Sequence, residues 1–351
     1  MRLITVIYFL ACFLFYKTTL NAQSNTTEKT QTQKNTSFKP GENWYDENGN
    51  IINAHGGGIL FYNGTYYWYG EIKKGETTRV PDASWENYRV AAGGISCYSS
   101  KDLLNWKYEG VALASEKKDT ASDLYEGKVI ERPKVIYNST TKKFVMWMHI
   151  DSKDYAAARS GVAVSNKPDG PFTYLHSERP NGNMSRDMTI YQDTDGKAYH
   201  FYSSEENATM HICLLSDDYL SHTTNDIRIL VNQSREAPAV FKYNNKYYLI
   251  TSACTGWSPN AATYTVADKI MGEWKQFDNP CKGNDADKTF NAQSTYIIPV
   301  AAEKGKFVFM ADRWNKTNLE YSRYIWLPLT MSDGKPVIKW MDSWQLSDIK
   351  N

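Results

Sequence analysis

The sequence predicts an all-β fold, a five-bladed β-propeller, and three observations predict it. Helical periodicity is hard to find, while short strands rich in Tyr, Val, Ile, Phe and Trp recur between Asn-Gly, Asp-Gly and Asn-Asn turns. These strands recur as a unit: an apolar strand, a tight turn, then an aromatic strand. Five such units follow one another at roughly 50 to 75 residues, a period that suits propeller blades.

The first unit is Gly58-Ile-Leu-Phe-Tyr-Asn-Gly-Thr-Tyr-Tyr-Trp-Tyr69, and the plan returns at 133–148, 188–202, 238–251 and 295–310. Several units continue into an outer hairpin with a polar turn and an aromatic, as in 99–106, 166–172 and 271–274. Radial stacking of such sheets buries both faces of each and leaves only short edges. A β-sandwich is the competing all-β architecture, but it gives no reason for five similar openings at this spacing.

Ahead of the blades the chain changes character. Arg2 precedes an apolar run from Leu3 to Tyr16, and Leu20-Asn21-Ala22 offers a small-residue cleavage site, so residues 1–22 read as a secretory signal peptide. The run is shorter than the roughly 20 residues of a membrane span. An uncleaved anchor and a lipid attachment at Cys12 are the competing readings. Residues 23–39 are Gln, Ser, Asn, Thr and Lys with almost nothing to bury, and read as a flexible spacer. The remainder, 40–351, reads as one propeller domain.

Charge is balanced, with 40 basic against 39 acidic residues, and gives no reason to expect nucleic acid or an anionic membrane as partner. Aromatics are abundant, with 11 Trp and 25 Tyr, which suits stacking on sugar rings as well as β cores. Past the leader lie Cys97, Cys213, Cys254 and Cys281, an even number that permits disulfides, Cys254–Cys281 being the most local pairing. No Cys-x-x-Cys spacing suggests zinc, and no run of ligands calls for any metal.

In a propeller the innermost strand of every blade starts at one mouth of the axis. Those starts are His55-Gly56-Gly57-Gly58, Glu131-Arg132-Pro133, Arg186-Asp187, Arg235-Glu236-Ala237-Pro238 and Asn291-Ala292-Gln293-Ser294. One polar strand end is an ordinary solvated terminus; polar starts on all five blades point to a shared site. The three glycines at 56–58 allow close backbone approach or unusual dihedrals. No Lys-Ser/Thr follows them and no helix begins there, so a phosphate cradle is excluded.

These openings, in this order, resemble glycoside hydrolase family 43, and more narrowly its exo-β-1,3-galactanase group. The resemblance runs from Gly41 onward and is carried by Asn53-Ala-His-Gly-Gly-Gly-Ile-Leu60, Tyr67-Trp-Tyr-Gly-Glu71, Glu131-Arg-Pro133, Arg186-Asp187, Glu236-Ala-Pro-Ala239, Thr255-Gly-Trp257 and Asn291-Ala-Gln-Ser294. It implies a five-bladed propeller and an inverting hydrolase that removes galactose from β-1,3-galactan, the arabinogalactan backbone. It implies Glu236 as general acid, with Glu131 orienting substrate and supplying the negative charge that raises the acid's pKa. It also implies Glu71, Tyr155, Asp187 and Thr255 as hydrogen-bonding partners of the sugar and Trp257 as its stacking wall. No cofactor is implied; some members of the family hold a calcium ion on the axis, which nothing in this sequence demands.

The chain departs from most of that family at the base. Where an Asp is usual at the start of blade one, it reads Ala54-His55-Gly56, and the galactanase group shares this loss and has a Gln in blade five, here Gln293. An amide is a poor base, so two readings stay open. Either Gln293 positions the water and relays a proton through its imidic tautomer, or a carboxylate such as Glu71 or Asp187 acts through a water chain. Two rivals accompany the galactanase reading: an α-L-arabinofuranosidase or β-xylosidase of the same family, and a carbohydrate-binding propeller without catalysis.

Overall fold

The computed structural model describes residues 34–349 apart from 82, 84, 302 and 304. The expected signal peptide and residues 23–33 of the expected spacer lie outside the described residues. The five repeated units form five sheets, and in each the first strand lies at one end of the sheet. Those first strands are His55–Tyr62, Val129–Asn138, Met188–Gln192, Arg235–Tyr243 and Gln293–Pro299. Each touches the first strands of the blades on either side, so the ring closes between the fifth and the first. Blades one to four have four antiparallel strands; the fifth adds Cys281–Lys282 as a parallel outer strand beside Lys335–Lys339.

The turn chemistry explains the hairpins. Asn63-Gly64, Asn244-Asn245 and Asp333-Gly334 each place two successive residues at positive φ, between 47° and 72°. That is the type I′ geometry whose twist matches the flanking strands, and Asn, Asp and Gly are the residues that tolerate it. Blades packed on both sides need strands that are apolar on both faces. Ala198–Ser204, the second strand of blade three, is buried at every position. Where the ring closes, Trp68, Trp106, Trp326 and Trp344 form one core with Phe38, whose backbone pairs with Trp344. The end of the expected spacer is therefore packed into the propeller, because Phe38 supplies an apolar ring to bury. The propeller is thus pinned by aromatic packing between its first and last blades.

The disulfides that the even number permitted do not form: Cys97, Cys213, Cys254 and Cys281 are all free. Cys97 and Cys213 are buried in blades one and three, and Cys281 pairs with Ile338 at the outer edge of blade five. Cys254 follows the second strand of blade four at the axial mouth, so the pair closest in sequence is split between mouth and outer edge. Among the described residues no helix is long and apolar enough to cross a membrane.

Candidate active site

The inner strands do not run straight into the mouth. Four of them break register at their start, at His55/Gly58, Glu131/Lys134, Glu236/Ala239 and Ser294/Tyr296. Such bulges re-aim side chains, here towards the axis. Within them Gly56, Arg132 and Ala237 adopt φ of 60°, 56° and 54°. A left-handed residue that is not glycine is strained, and one device recurs to hold it. Gly56 donates its N–H to Asp312 at 2.9 Å, Arg132 to Glu71 at 3.0 Å, and Ala237 to Asp187 at 3.1 Å. In each case a carboxylate of the preceding blade catches the bulge of the next. Glycine is required at 56 for a second reason, since a Cβ there would lie 2.1 Å from Glu71 Oε1. At Gly57 a Cβ would lie 1.8 Å from the Tyr69 carbonyl oxygen.

The bulges open onto a cavity of about 420 Å³ lined by Glu71, Tyr155, Asp187, Trp257, Glu131, Glu236 and Gln293, seven of the eight residues singled out from sequence. Thr255 is the exception. Its hydroxyl donates to the Ser258 carbonyl at 2.6 Å and accepts from Asn260 at 2.7 Å, so it braces its own loop and does not line the cavity.

Glu236 and Gln293 meet directly. Gln293 Nε2 donates to Glu236 Oε1 at 2.8 Å and to Ser252 Oγ at 3.2 Å. Its Oε1 accepts from Arg132 at 2.6 Å and from the Trp314 indole at 3.1 Å. Arg and Trp can only donate, which fixes the amide's orientation without ambiguity. Glu236 Oε1 is therefore an acceptor, and a proton on this carboxyl belongs on Oε2. Burial pushes the Glu236 pKa up to about 8, helped by the negative charge of Asp187 and opposed by Arg132. The charge expected from Glu131 is supplied by Asp187 instead. Glu131 faces Lys73 and His149, and burial alone would raise its pKa. Lys73 and His149 outweigh that and hold it well below the usual carboxylate range.

The two alternative carboxylates are spent on the frame. Asp187 accepts both arms of Arg132, at 3.0 and 2.8 Å, as well as the Ala237 amide. Glu71 takes the Arg132 amide on one oxygen and Lys73, at 2.7 Å, near the other. Burial raises the Glu71 pKa against the pull of Lys73. His55, where the family usually has its Asp, is buried and stacked on Tyr324 at 4.8 Å with its Nδ1 on Asp312. It plays no part in the cavity.

Sequence reasoning missed Lys73, Trp314 and Trp85. Lys73 follows Glu71 by two positions and so lies on the same strand face, a signal that was available. Trp314 packs edge-on against Trp257 at 5.8 Å and makes the aromatic wall a pair. Trp85 belongs to an insertion between the second and third strands of blade one, which holds the short hairpin Thr78–Arg79 and Tyr88–Arg89. The insertion is tied to the blade-five loop by Thr77 with Leu319 and by Glu86 with Lys316. Trp85 packs edge-on against Tyr155 at 5.5 Å, and a Cβ at Gly256 would lie 3.8 Å from its ring. The insertion therefore reaches the blade-four loop and narrows the mouth into a pocket. No metal-binding cluster of His, Cys, Asp or Glu occurs among the described residues.

A carboxyl whose pKa is raised into the neutral range and a second held as an anion, in one pocket with two indoles, make an arrangement compatible with acid-assisted cleavage of a glycosidic bond. No curated protein matches this sequence. A family 43 β-1,3-galactosidase solved with galactodeoxynojirimycin is 46% identical, covering 88% of this chain and 100% of that one, with a TM-score of 0.82. An exo-β-1,3-galactanase from Phanerochaete chrysosporium, solved with β-1,3-galactotriose, is 34% identical over 91% of this chain and 70% of that one (TM-score 0.79). The exo-β-1,3-galactanase of Clostridium thermocellum is 37% identical over 90% and 68% (TM-score 0.77). The model of the glycosyl hydrolases family 43 matches residues 59–294. With its five-bladed propeller and these likenesses, the chain belongs to glycoside hydrolase family 43.

Proposed function

We propose that this hydrolase is exo-acting and inverting, and that it releases galactose from the non-reducing end of β-1,3-galactan, the backbone of arabinogalactan. The observation that carries the reading is the Glu236–Gln293 contact: a carboxyl that lines the cavity, raised into the neutral range, beside an amide where a carboxylate base is expected. The galactose-type iminosugar and β-1,3-galactotriose in the similar structures support the choice of sugar. Narrowing of the mouth by the Trp85 insertion supports attack at chain ends. The leader-like N-terminus favours a periplasmic, extracellular or cell-surface site of action.

In this mechanism Glu236 Oε2 gives its proton to the departing glycosidic oxygen while water attacks the opposite face of the sugar. Glu131 stays ionised and accepts hydrogen bonds from sugar hydroxyls together with Tyr155, whose hydroxyl already donates to it at 3.1 Å. Gln293 aligns the acid and presents the water. Both lone pairs of its oxygen are occupied, so Arg132 or Trp314 must yield when water is held there. Incubation with β-1,3-galactan, arabinan and xylan tests the substrate: galactose from galactan alone, as the α-anomer at first by NMR, is the expected result. Arabinose or xylose release would assign the rival sugar. Binding without release would make the protein a lectin-like propeller.

Gln293→Ala tests the amide. It lowers kcat by about 10²-fold with KM little changed, as expected for a group acting mainly in the transition state. It also moves the basic limb of the pH profile upward, because the lost N–H had favoured the ionised Glu236. Near-native turnover with normal sugar binding would remove Gln293 from the mechanism.

A further inference from the structure

The Glu131 side of the pocket has a second layer of charge. Glu131 lies directly across from His149 in the pairing of Val129–Asn138 with Lys143–Asp151. His149 Nδ1 is 3.5 Å from Glu131 Oε2, and its Nε2 is 2.8 Å from Asp151 Oδ2. The other Asp151 oxygen accepts the backbone N–H groups of Ser152 at 2.9 Å and Ala158 at 2.8 Å. His149 and Asp151 are both 1% exposed. The result is a line of three groups: a carboxylate anchored by the backbone, an imidazole, and a carboxylate that lines the cavity.

We propose that His149, held by Asp151, is a positioning residue for Glu131: an imidazolium built into blade two that keeps Glu131 ionised and aimed at the sugar. This rests on the reaction assigned to the pocket and explains how one of its carboxylates stays charged when substrate expels water.

The protonation follows from the partners. Asp151 offers only acceptors, so Nε2 carries a hydrogen. Nδ1 faces a second carboxylate, where a bare lone pair would be repelled, so it carries one too. Burial disfavours the imidazolium, but the two carboxylates overcome this and raise the His149 pKa to about 9. The alternative source of positive charge is Lys73, at 3.5 Å from Glu131, but Lys73 lies closer to Glu71, at 2.7 Å. Around this spot Glu71 and Lys73 come from blade one, Arg89 from the inserted hairpin, and Glu131, Arg132, Asp151 and Tyr155 from blade two. Arg132 is engaged by Asp187, and Arg89 lies over the Tyr155 ring at 5.9 Å. Lys73 and, less, Arg89 also draw the Glu131 pKa down, so loss of the imidazolium removes part of its counter-charge and lets burial push the carboxyl up. A protonated Glu131 would then donate where the site needs an acceptor.

The test compares wild type, His149→Asn and Asp151→Asn as full-length proteins. In His149→Asn the acidic limb of kcat/KM for β-1,3-galactobiose moves up by about one pH unit or more, roughly a tenfold loss of rate on that limb. The basic limb, which belongs to Glu236, stays. Asp151→Asn moves the acidic limb the same way, because an imidazole without its anchor is less readily protonated. Carboxyl ¹³C NMR, with the Glu131 signal assigned by its absence in Glu131→Gln, reads the same group without substrate. Glu131 remains ionised through mild acid in wild type and titrates near the ordinary glutamate range in His149→Asn. Identical Glu131 titration in wild type and both variants would overturn the proposal. A wild type that releases nothing from galactan would overturn the assigned reaction instead, while the NMR result still decides the role of His149. If His149→Asn does not fold, Asp151→Asn and His149→Gln give the same comparison.

Discussion

Glu236→Gln is expected to lower galactose release by about 10²–10⁴-fold, the usual contribution of a positioned proton donor, while sugar affinity changes little. The amide keeps the shape of the carboxyl and can still accept from Gln293, but its nitrogen cannot surrender a proton to a leaving oxygen. In the wild type, release falls as pH rises through about 8, where Glu236 loses its proton, and the variant's residual activity lacks that limb. Stability carries the same signature. The folded-state pKa of Glu236 lies above its unfolded value, so the folded protein binds this proton more tightly. The stabilisation is full below the unfolded pKa of about 4.5 and is lost as pH rises through about 8. Above that pH an ionised Glu236 beside Asp187 is a burden, so Glu236→Gln is expected to melt higher than wild type at pH 9 and to differ less at pH 6. Full activity in the variant, or a melting difference independent of pH, would remove Glu236 as the acid.

The blades were legible because their signals are local. Asn63-Gly64, Asn244-Asn245 and Asp333-Gly334 specify type I′ turns whatever surrounds them, and the apolar strands beside them can be buried only by stacking. The site was legible as a ring of polar strand starts, since Glu131, Asp187, Glu236 and Gln293 each interrupt an apolar pattern. Partners across the ring were not. The charge acting on Glu236 comes from Asp187 because a bulge turns Ala237 towards blade three, and nothing local to either strand encodes that contact. Thr255 stands two residues from Trp257 yet faces its own loop, because Ser258 and Asn260 bind its hydroxyl first. His149 and Asp151 read as the end of a buried strand. Only the pairing of His149 with Glu131 gives them a place behind the pocket.

Arg132 is where frame and chemistry meet, and Arg132→Met is expected to damage both. The guanidinium grips Asp187 with two bonds, donates to Gln293 and caps the Ser294 carbonyl at 3.1 Å, joining blades two, three and five. It is 6% exposed, so its removal strands a carboxylate and two acceptors without their donor. Breaking one side of such a pair costs about 3–5 kcal/mol, measurable as a loss in unfolding free energy. The electrostatic consequence has a definite sign. Arg132 lowers the Glu236 pKa and Asp187 raises it, so without the arginine the basic limb of the pH profile moves up from about 8. Activity falls nonetheless, because Gln293 loses the shorter of the two bonds that fix its amide. Arg132→Met with Asp187→Asn separates the two effects. If the stranded charge is the main cost, the double variant is more stable than Arg132→Met alone, and the coupling between the sites is well above the ~0.5 kcal/mol seen for independent positions. Strict additivity would show that the salt bridge is incidental and that Arg132 acts through its bonds to Gln293 and Ser294. The activity of the double variant then distinguishes the roles of its two partners. Asp187→Asn relieves the charge on Glu236 but does not restore the Arg132 bond to Gln293, so turnover stays low even where stability returns.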